Sequence, residues 1–153
     1  MKVRIFLEKG AELPKKAHPT DYCYDMTAIR REILDNGVYE YGTGVHIAMP
    51  ERDAYGNIPC AFAFARSGIY KTGLILSNGK GVIDNPYRGE IMAKFYPMLP
   101  LRFLKPYKVG ERICQLALSN GEEIEWEIVS TLEELGETDR GCTGYGDSGL
   151  KPL

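Results

Sequence analysis

Residues able to do chemistry crowd into one short stretch, GKGVIDNPYRGEI from Gly79 to Ile91, which holds the carboxylate of Asp84, the phenol of Tyr87 and the guanidinium of Arg88. That density marks a candidate site. Taken alone, an acid at the tip of a turn is ordinarily a solvated turn former. A second set, Arg66, Ser67 and Gly68, offers a guanidinium, a hydroxyl and an unhindered backbone amide in consecutive places, just after the apolar run CAFAFA. In isolation RSG is also an ordinary turn. A third lies in RGCTGYGDSG, Arg140 to Gly149, where glycines at 141, 144, 146 and 149 let backbone amides converge on an anion and Arg140 adds charge.

The elements that must position these groups read as strands. Val82 and Ile83, then Ile91, Ala93 and Phe95, bracket a turn at Asp84, Asn85 and Pro86, the pattern of two antiparallel strands joined as a hairpin. Further strand-like segments fall at 3–7, 38–48, 60–64, 73–76, 112–118 and 123–129, separated by turn residues as in a sandwich or barrel. Only 27–34 and 131–135 read as helical, the latter with Thr131 and Glu134 at capping-box spacing. The expected fold is all-β, a jelly-roll-like distorted barrel or sandwich over 1–136. After Gly136 the chain turns to Gly, Thr, Asp and Ser, and residues 137–153 are expected to be a flexible lid that orders over a ligand.

Bulk properties restrict the partners. The chain has 153 residues, one ordinary domain, and 19 Lys and Arg against 21 Asp and Glu leave a formal charge of -2. No broad basic field is present to grip nucleic acid. No stretch reads as a secretory signal or membrane span, and Cys23, Cys60, Cys114 and Cys142 are dispersed without zinc or redox spacing. A cytoplasmic protein with reduced thiols is expected. His18 and His46 receive no role; His46, in the strand GVHIAMP, reads as a packed or surface residue.

DYCYDMTA (21–28), ARSG (65–68), GVID with YRG (81–89), GERICQLAL (110–118) and RGCTGYGDSG (140–149) occur in that order. Together they resemble the five motifs of the trimeric dUTP diphosphatase family, approximately AGYDL, PRSG, GVID with YRG, GDRIAQL and RGxxGFGSTG. The resemblance implies a homotrimer with each active site built from three chains, and dUTP as small-molecule substrate. It implies Asp84 as the base that activates water against the α-phosphorus. The uracil edge would be read by backbone at Val82, Ile83 and Met92, with help from Asn78. Tyr87 corresponds to the ring that packs under deoxyribose and excludes a 2′-hydroxyl; ordinary cross-strand packing is the competing account of this tyrosine.

By the same resemblance Ser67, with Arg66 and Gly68, contacts the phosphates, and Gln115 orients water or a phosphate unless it is merely the solvent-facing residue of an alternating strand. Asp25 corresponds to the carboxylate that holds Mg2+ through its water ligands; otherwise it is an unpartnered turn acid. Arg140, Tyr145, Gly146 and Ser148 belong to the closing tail, with Tyr145 stacking on uracil. Departures from the pattern are Tyr22 and Cys23 for small residues, Ala65 for proline, Pro86 for an acid, and Asp147 where serine is usual near phosphate. Two alternatives stay open. A dCTP deaminase of the related fold needs a glutamate about where GEIMAKFY places Lys94, and a non-catalytic nucleotide- or partner-binding module would need neither Asp84 nor the tail.

Overall fold

A computed structural model describes residues 1–144. Eleven strands make up the described chain: β1 (Lys2–Leu7), β2 (Tyr24–Thr27), β3 (Arg30–Ile33), β4 (Tyr39–Gly42), β5 (Val45–Ala48), β6 (Ala61–Ala65), β7 (Leu74–Leu76), β8 (Lys80–Ile83), β9 (Met92–Pro97), β10 (Arg112–Leu118) and β11 (Glu125–Ile128). They form three sheets, ordered β11-β1-β5, β2-β10-β6-β8 and β3-β4-β9-β7, and all pairings are antiparallel except β1 with β11. The expected all-β class is observed. Three short 3-10 turns, at Ser67–Lys71, Leu101–Phe103 and Glu133–Leu135, are the described helical segments. Among the described residues no helix is long and apolar enough to cross a membrane.

One core serves all three sheets. Tyr41, Phe95 and Tyr107 meet edge to face or tilted at centroid separations of 5.6 to 6.1 Å. The Tyr41 hydroxyl donates to the Tyr107 carbonyl at 2.9 Å, so the ring is buried without an orphaned oxygen. Burial pushes its phenol up to about 12. Each such ring contributes about 2–3 kcal/mol by leaving water. This cluster anchors β9, which forms one wall of the site.

Several sequence expectations fail for identifiable reasons. The segment 27–34 is no helix: Arg30–Ile33 is an exposed strand paired with β4, from Arg30 opposite Gly42 to Ile33 opposite Tyr39. Its helix-forming residues lose to an Asn36-Gly37 turn, in which Gly37 has φ of 79° and the Leu34 amide donates to Val38. The single strand 38–48 is two. At Gly44, φ is 66° and a Cβ would lie 2.5 Å from Ile29 Cδ1, so the chain turns there out of one sheet into another. The capping box is absent; Leu132 is the N-cap and makes no side-chain cap hydrogen bond. Most relevant to function, the hairpin is a corner. β8 pairs with β6 and β9 pairs with β4 and β7, so residues 84–91 carry the chain between sheets rather than between hydrogen-bonded neighbours.

Candidate active site

The corner is held by its own polar groups. The Tyr87 amide donates to the Asp84 carbonyl at 3.1 Å, closing a turn around Asn85 and Pro86. Asn85 Nδ2 donates to the Pro50 carbonyl at 2.8 Å, which ties the turn to the 50–59 loop. Arg88 Nη1 donates back to the Asn85 carbonyl at 2.6 Å. Tyr87 is buried, and its hydroxyl donates to the Glu90 carbonyl at 3.0 Å. Gly89 and Gly144 both crowd this ring: an added Cβ would approach it to 2.3 and 2.9 Å respectively. Only glycine fits either place.

Beside this corner, between β8 and β9, opens a cleft of about 140 Å³ lined by Ala63, Asn78, Gly81, Val82, Ile83, Tyr87, Met92, Arg140 and Gly144. It adjoins a cavity of about 290 Å³ that shares Ala63, Asn78, Gly81 and Met92. Asn78, Val82, Ile83, Tyr87, Met92 and Arg140 are thus together, as the sequence pattern required. The Tyr87 ring is packed and also lines the cleft. Gly81 and Ala63 were not foreseen. A glycine inside a strand was the available signal, because a Cβ on Gly81 would already touch Ala63 Cβ at 3.4 Å and narrow the cleft.

Asp84 follows Ile83 out of β8 and is half-exposed. Its Oδ2 is paired with Nη1 of Arg140, whose Nε donates to the Thr143 carbonyl at 3.1 Å and whose guanidinium stands 5.6 Å from the Tyr87 ring centre. Two further bonds bring the tail to the corner: Thr138 Oγ1 donates to the Pro86 carbonyl at 2.5 Å and the Arg88 amide to the Gly141 carbonyl at 2.7 Å. Tyr145, Gly146, Asp147 and Ser148 lie outside the described residues.

The remaining expected residues gather elsewhere. Asp25, on β2 opposite Gln115 of β10, is nearly buried and neither unpartnered nor free for a metal cage. Arg66 grips it through Nε at 2.6 Å and Nη2 at 3.3 Å, and Arg112 Nη1 adds a third bond at 2.8 Å. Gln115 Nε2 donates to the Ala65 carbonyl at 3.0 Å, so its amide is committed to the end of β6 and not simply solvent-facing. Ser67 is exposed and Gly68 faces open space in the 3-10 turn that follows. Register separates this cluster from the corner. Asp25, Gln115, Phe64 and Lys80 form one row across four strands, which spans about 14 Å. Asp84 lies four residues beyond Lys80, about 13 Å farther along the strand. The two halves are therefore roughly 19 Å apart and open at opposite ends of β6.

The dUTPase family model matches residues 9–149, nearly the whole chain. The chain belongs to the dUTPase family. It is 37% identical over 151 residues to the deoxyuridine 5′-triphosphate nucleotidohydrolase of Corynebacterium jeikeium, covering 95% of this chain and 91% of that one. The corresponding protein of Desulfitobacterium hafniense is 35% identical over 147 residues, with 94% and 91% covered. Among solved structures, the dUTPase of Streptococcus mutans superposes with a TM-score of 0.60 at 26% identity over 74% of this chain and 92% of that chain. The dUTPase of Staphylococcus aureus phage phi11 shares the fold, with a TM-score of 0.60 at 20% identity over 76% and 88%. In the dUTPase frame, the third motif and residues 140–144 of the fifth meet at the corner, and the first, second and fourth meet around Asp25.

Proposed function

We propose that the protein hydrolyses dUTP to dUMP and pyrophosphate by attack of water on the α-phosphorus. The observation that carries this reading is the cleft between β8 and β9, one of whose lining residues, Arg140, is paired with Asp84. A flat base entering beside Val82, Ile83 and Met92 meets backbone donors and acceptors. Uracil satisfies an acceptor-donor-acceptor edge, whereas cytosine inverts two positions and leaves buried groups unpaired at about 1–3 kcal/mol each. Tyr87, fixed by its bond to Glu90 and by Gly89, presents a rigid ring to the sugar and closes off a 2′-hydroxyl.

Asp84 holds and deprotonates the water. Its carboxylate is tied to Arg140, so base and countercharge neutralise each other. An arriving triphosphate is the stronger partner for the guanidinium, because it offers several charged oxygens to the planar fork. Arg140 moves to the phosphates and releases Asp84 to the water. Residues from 137 onward act as the lid, and Tyr145, Gly146 and Ser148 complete it over the base and phosphates.

Arg66, Ser67, Gly68 and Gln115 supply the phosphate donors, and their separation from Asp84 supports a site built from more than one chain, as in the three-chain sites that the resemblance implies. A homotrimer with composite sites satisfies both halves. Asp25 positions Arg66 and Arg112, and its Oδ1, which accepts one bond, keeps a lone pair for one water. That fits Mg2+ held through water and by substrate oxygens rather than in a protein cage. Among the described residues no cluster of three acidic, Cys or His side chains exists to form one. The phage phi11 dUTPase coordinates a structural Mg(II) ion; bound here, Mg2+ would neutralise charge on the phosphates.

The deaminase reading is disfavoured at Lys94, whose ammonium pairs with Glu40 Oε2 at 2.8 Å across the β4–β9 ladder and supplies no acid-base carboxylate. The test is pyrophosphate release from dUTP, dCTP, UTP and dTTP, each with and without magnesium. Release from dUTP alone, enhanced by magnesium, is expected of this soluble-substrate, cytoplasmic enzyme; ammonia from dCTP, or no turnover of any nucleotide, would overturn the proposal.

A further inference from the structure

His46 is nine-tenths buried on β5, directly behind the corner, yet the reaction as described makes no use of it. Both ring nitrogens face acceptors. Nδ1 lies 2.9 Å from the Arg88 carbonyl oxygen and Nε2 lies 3.0 Å from Glu8 Oε1. A carbonyl cannot donate, so Nδ1 must carry a hydrogen. A neutral ring would then turn the Nε2 lone pair against a carboxylate oxygen, a repulsive contact at that distance. We infer that His46 is a positioning residue for the catalytic corner, acting as an imidazolium that bridges the Arg88 carbonyl to the Glu8 carboxylate.

The surroundings are arranged for that charge. Glu8, just past β1, also accepts from Arg30 Nη1 at 2.7 Å. The hydrogen bond from His46, foremost, together with Arg30, holds its carboxyl below the ordinary glutamate range although partial burial opposes this. Arg30, on β3, reaches on to Glu90 of the corner, whose other oxygen accepts from the Gly44 amide at 2.6 Å. Burial pushes the Glu90 carboxyl above its usual range. On its remaining side His46 meets the ring of Phe6 at 5.7 Å. The charged groups facing it or joined through Glu8 are therefore Glu8, Arg30, Arg88 and Glu90, and Glu8 Oε1 loses its imidazolium partner if the ring loses its proton, while Oε2 keeps Arg30.

What the bridge holds is the backbone at Arg88, which has three duties. The Arg88 carbonyl takes the imidazolium, the Arg88 amide takes the tail at Gly141, and the preceding residue is Tyr87 of the cleft. Loss of the Nε2 proton leaves the histidine free to rotate away from Glu8, and the Arg88 peptide loses its prop together with the tail docked on it. This role rests on the corner being catalytic, but the protonation state does not.

The chain has two histidines, so ring nitrogen NMR on uniformly labelled native protein without nucleotide resolves the state directly, with His46→Gln assigning the signal. At neutral pH the His46 spectrum should show both nitrogens protonated, and Glu8→Gln should convert it to a neutral tautomer at the same pH. A neutral tautomer in the native protein would overturn the inference whatever the enzyme does. In kinetics, the ratio of native to His46→Gln kcat/KM for dUTP should fall about tenfold from the acid to the alkaline side, the difference between a charge-assisted and a neutral hydrogen bond. Ionisations shared by both proteins cancel in the ratio. A ratio constant with pH would assign His46 a packing role and refute the positioning one.

Discussion

Replacing Arg140 by alanine sets two effects against each other, and their magnitudes predict which wins. Arg140 is paired with Asp84, so its removal frees the base. Both side chains are substantially exposed, at 39% and 46%, and an ion pair in such surroundings is worth about 0–1 kcal/mol after screening. Freeing Asp84 can therefore raise the rate by about fivefold at most. Against that stands the loss of a guanidinium from the phosphates, a charge-assisted contact worth about 1.5–3 kcal/mol, or roughly 10- to 150-fold. The loss should dominate. Pyrophosphate release at low dUTP should show kcat/KM down by tens-fold, with Arg140→Lys intermediate because it keeps charge but not the planar fork. If the contact tightens as charge develops on the leaving pyrophosphate, kcat falls as well as KM rising. Unchanged or increased kcat/KM in Arg140→Ala would refute the transfer of Arg140 from carboxylate to phosphate.

Other perturbations separate the remaining parts of the account. Mixing Asp84→Asn chains with Arg66→Ala chains, each inactive alone, should restore about a quarter of native activity if each site draws the two residues from different chains of a cyclic trimer; no recovery after subunit exchange would place both on one chain. Trimming Tyr87 to alanine should relax discrimination between dUTP and UTP, measured as the ratio of kcat/KM values, and an unaltered ratio would leave the ring a packing role. Gly44→Ala forces a side chain into positive φ against Ile29 and Ala11, and thermal unfolding should register a loss of about 2–3 kcal/mol. Glu8 stabilises the fold while ionised, because its folded carboxyl lies below the ordinary range. That contribution should be complete above about pH 4.3 and lost as pH falls through the lower folded value. The melting-temperature gap between native and Glu8→Gln proteins should accordingly close on acidification, and a gap independent of pH would contradict the ion pair.

The grouping of residues in the cleft was more legible in the sequence than the architecture that holds them. Asn78, Val82, Ile83, Tyr87, Met92 and Arg140 converge on one cleft because motif residues at strand ends keep their places whatever the strands pair with. Pairing itself is long-range. Nothing local in GVIDNPYRGEI distinguishes a hairpin from a corner, since both need a polar turn between apolar runs, and only β6 and β4 as partners of β8 and β9 decide it. Helix-forming residues in AIRREIL likewise yielded to β4, a competitor far from any window of local propensity. Gly44 was legible in principle, as a glycine inside an apolar strand. The ties of Asp25 to Arg66 and Arg112 join residues 41 and 87 positions apart, a separation at which charge pattern gives no pairing.

The central claim is that Asp84 activates the attacking water, and the Asp84→Asn variant tests it most directly when binding and turnover are measured on the same preparation. Equilibrium binding of a non-hydrolysable dUTP analogue should stay near native, since the cleft is untouched and the amide is isosteric. Pyrophosphate release should fall by about 10²–10⁴-fold, the contribution of a positioned general base. Hydrolysis within a few-fold of native would contradict the assignment, and with it the account of the site.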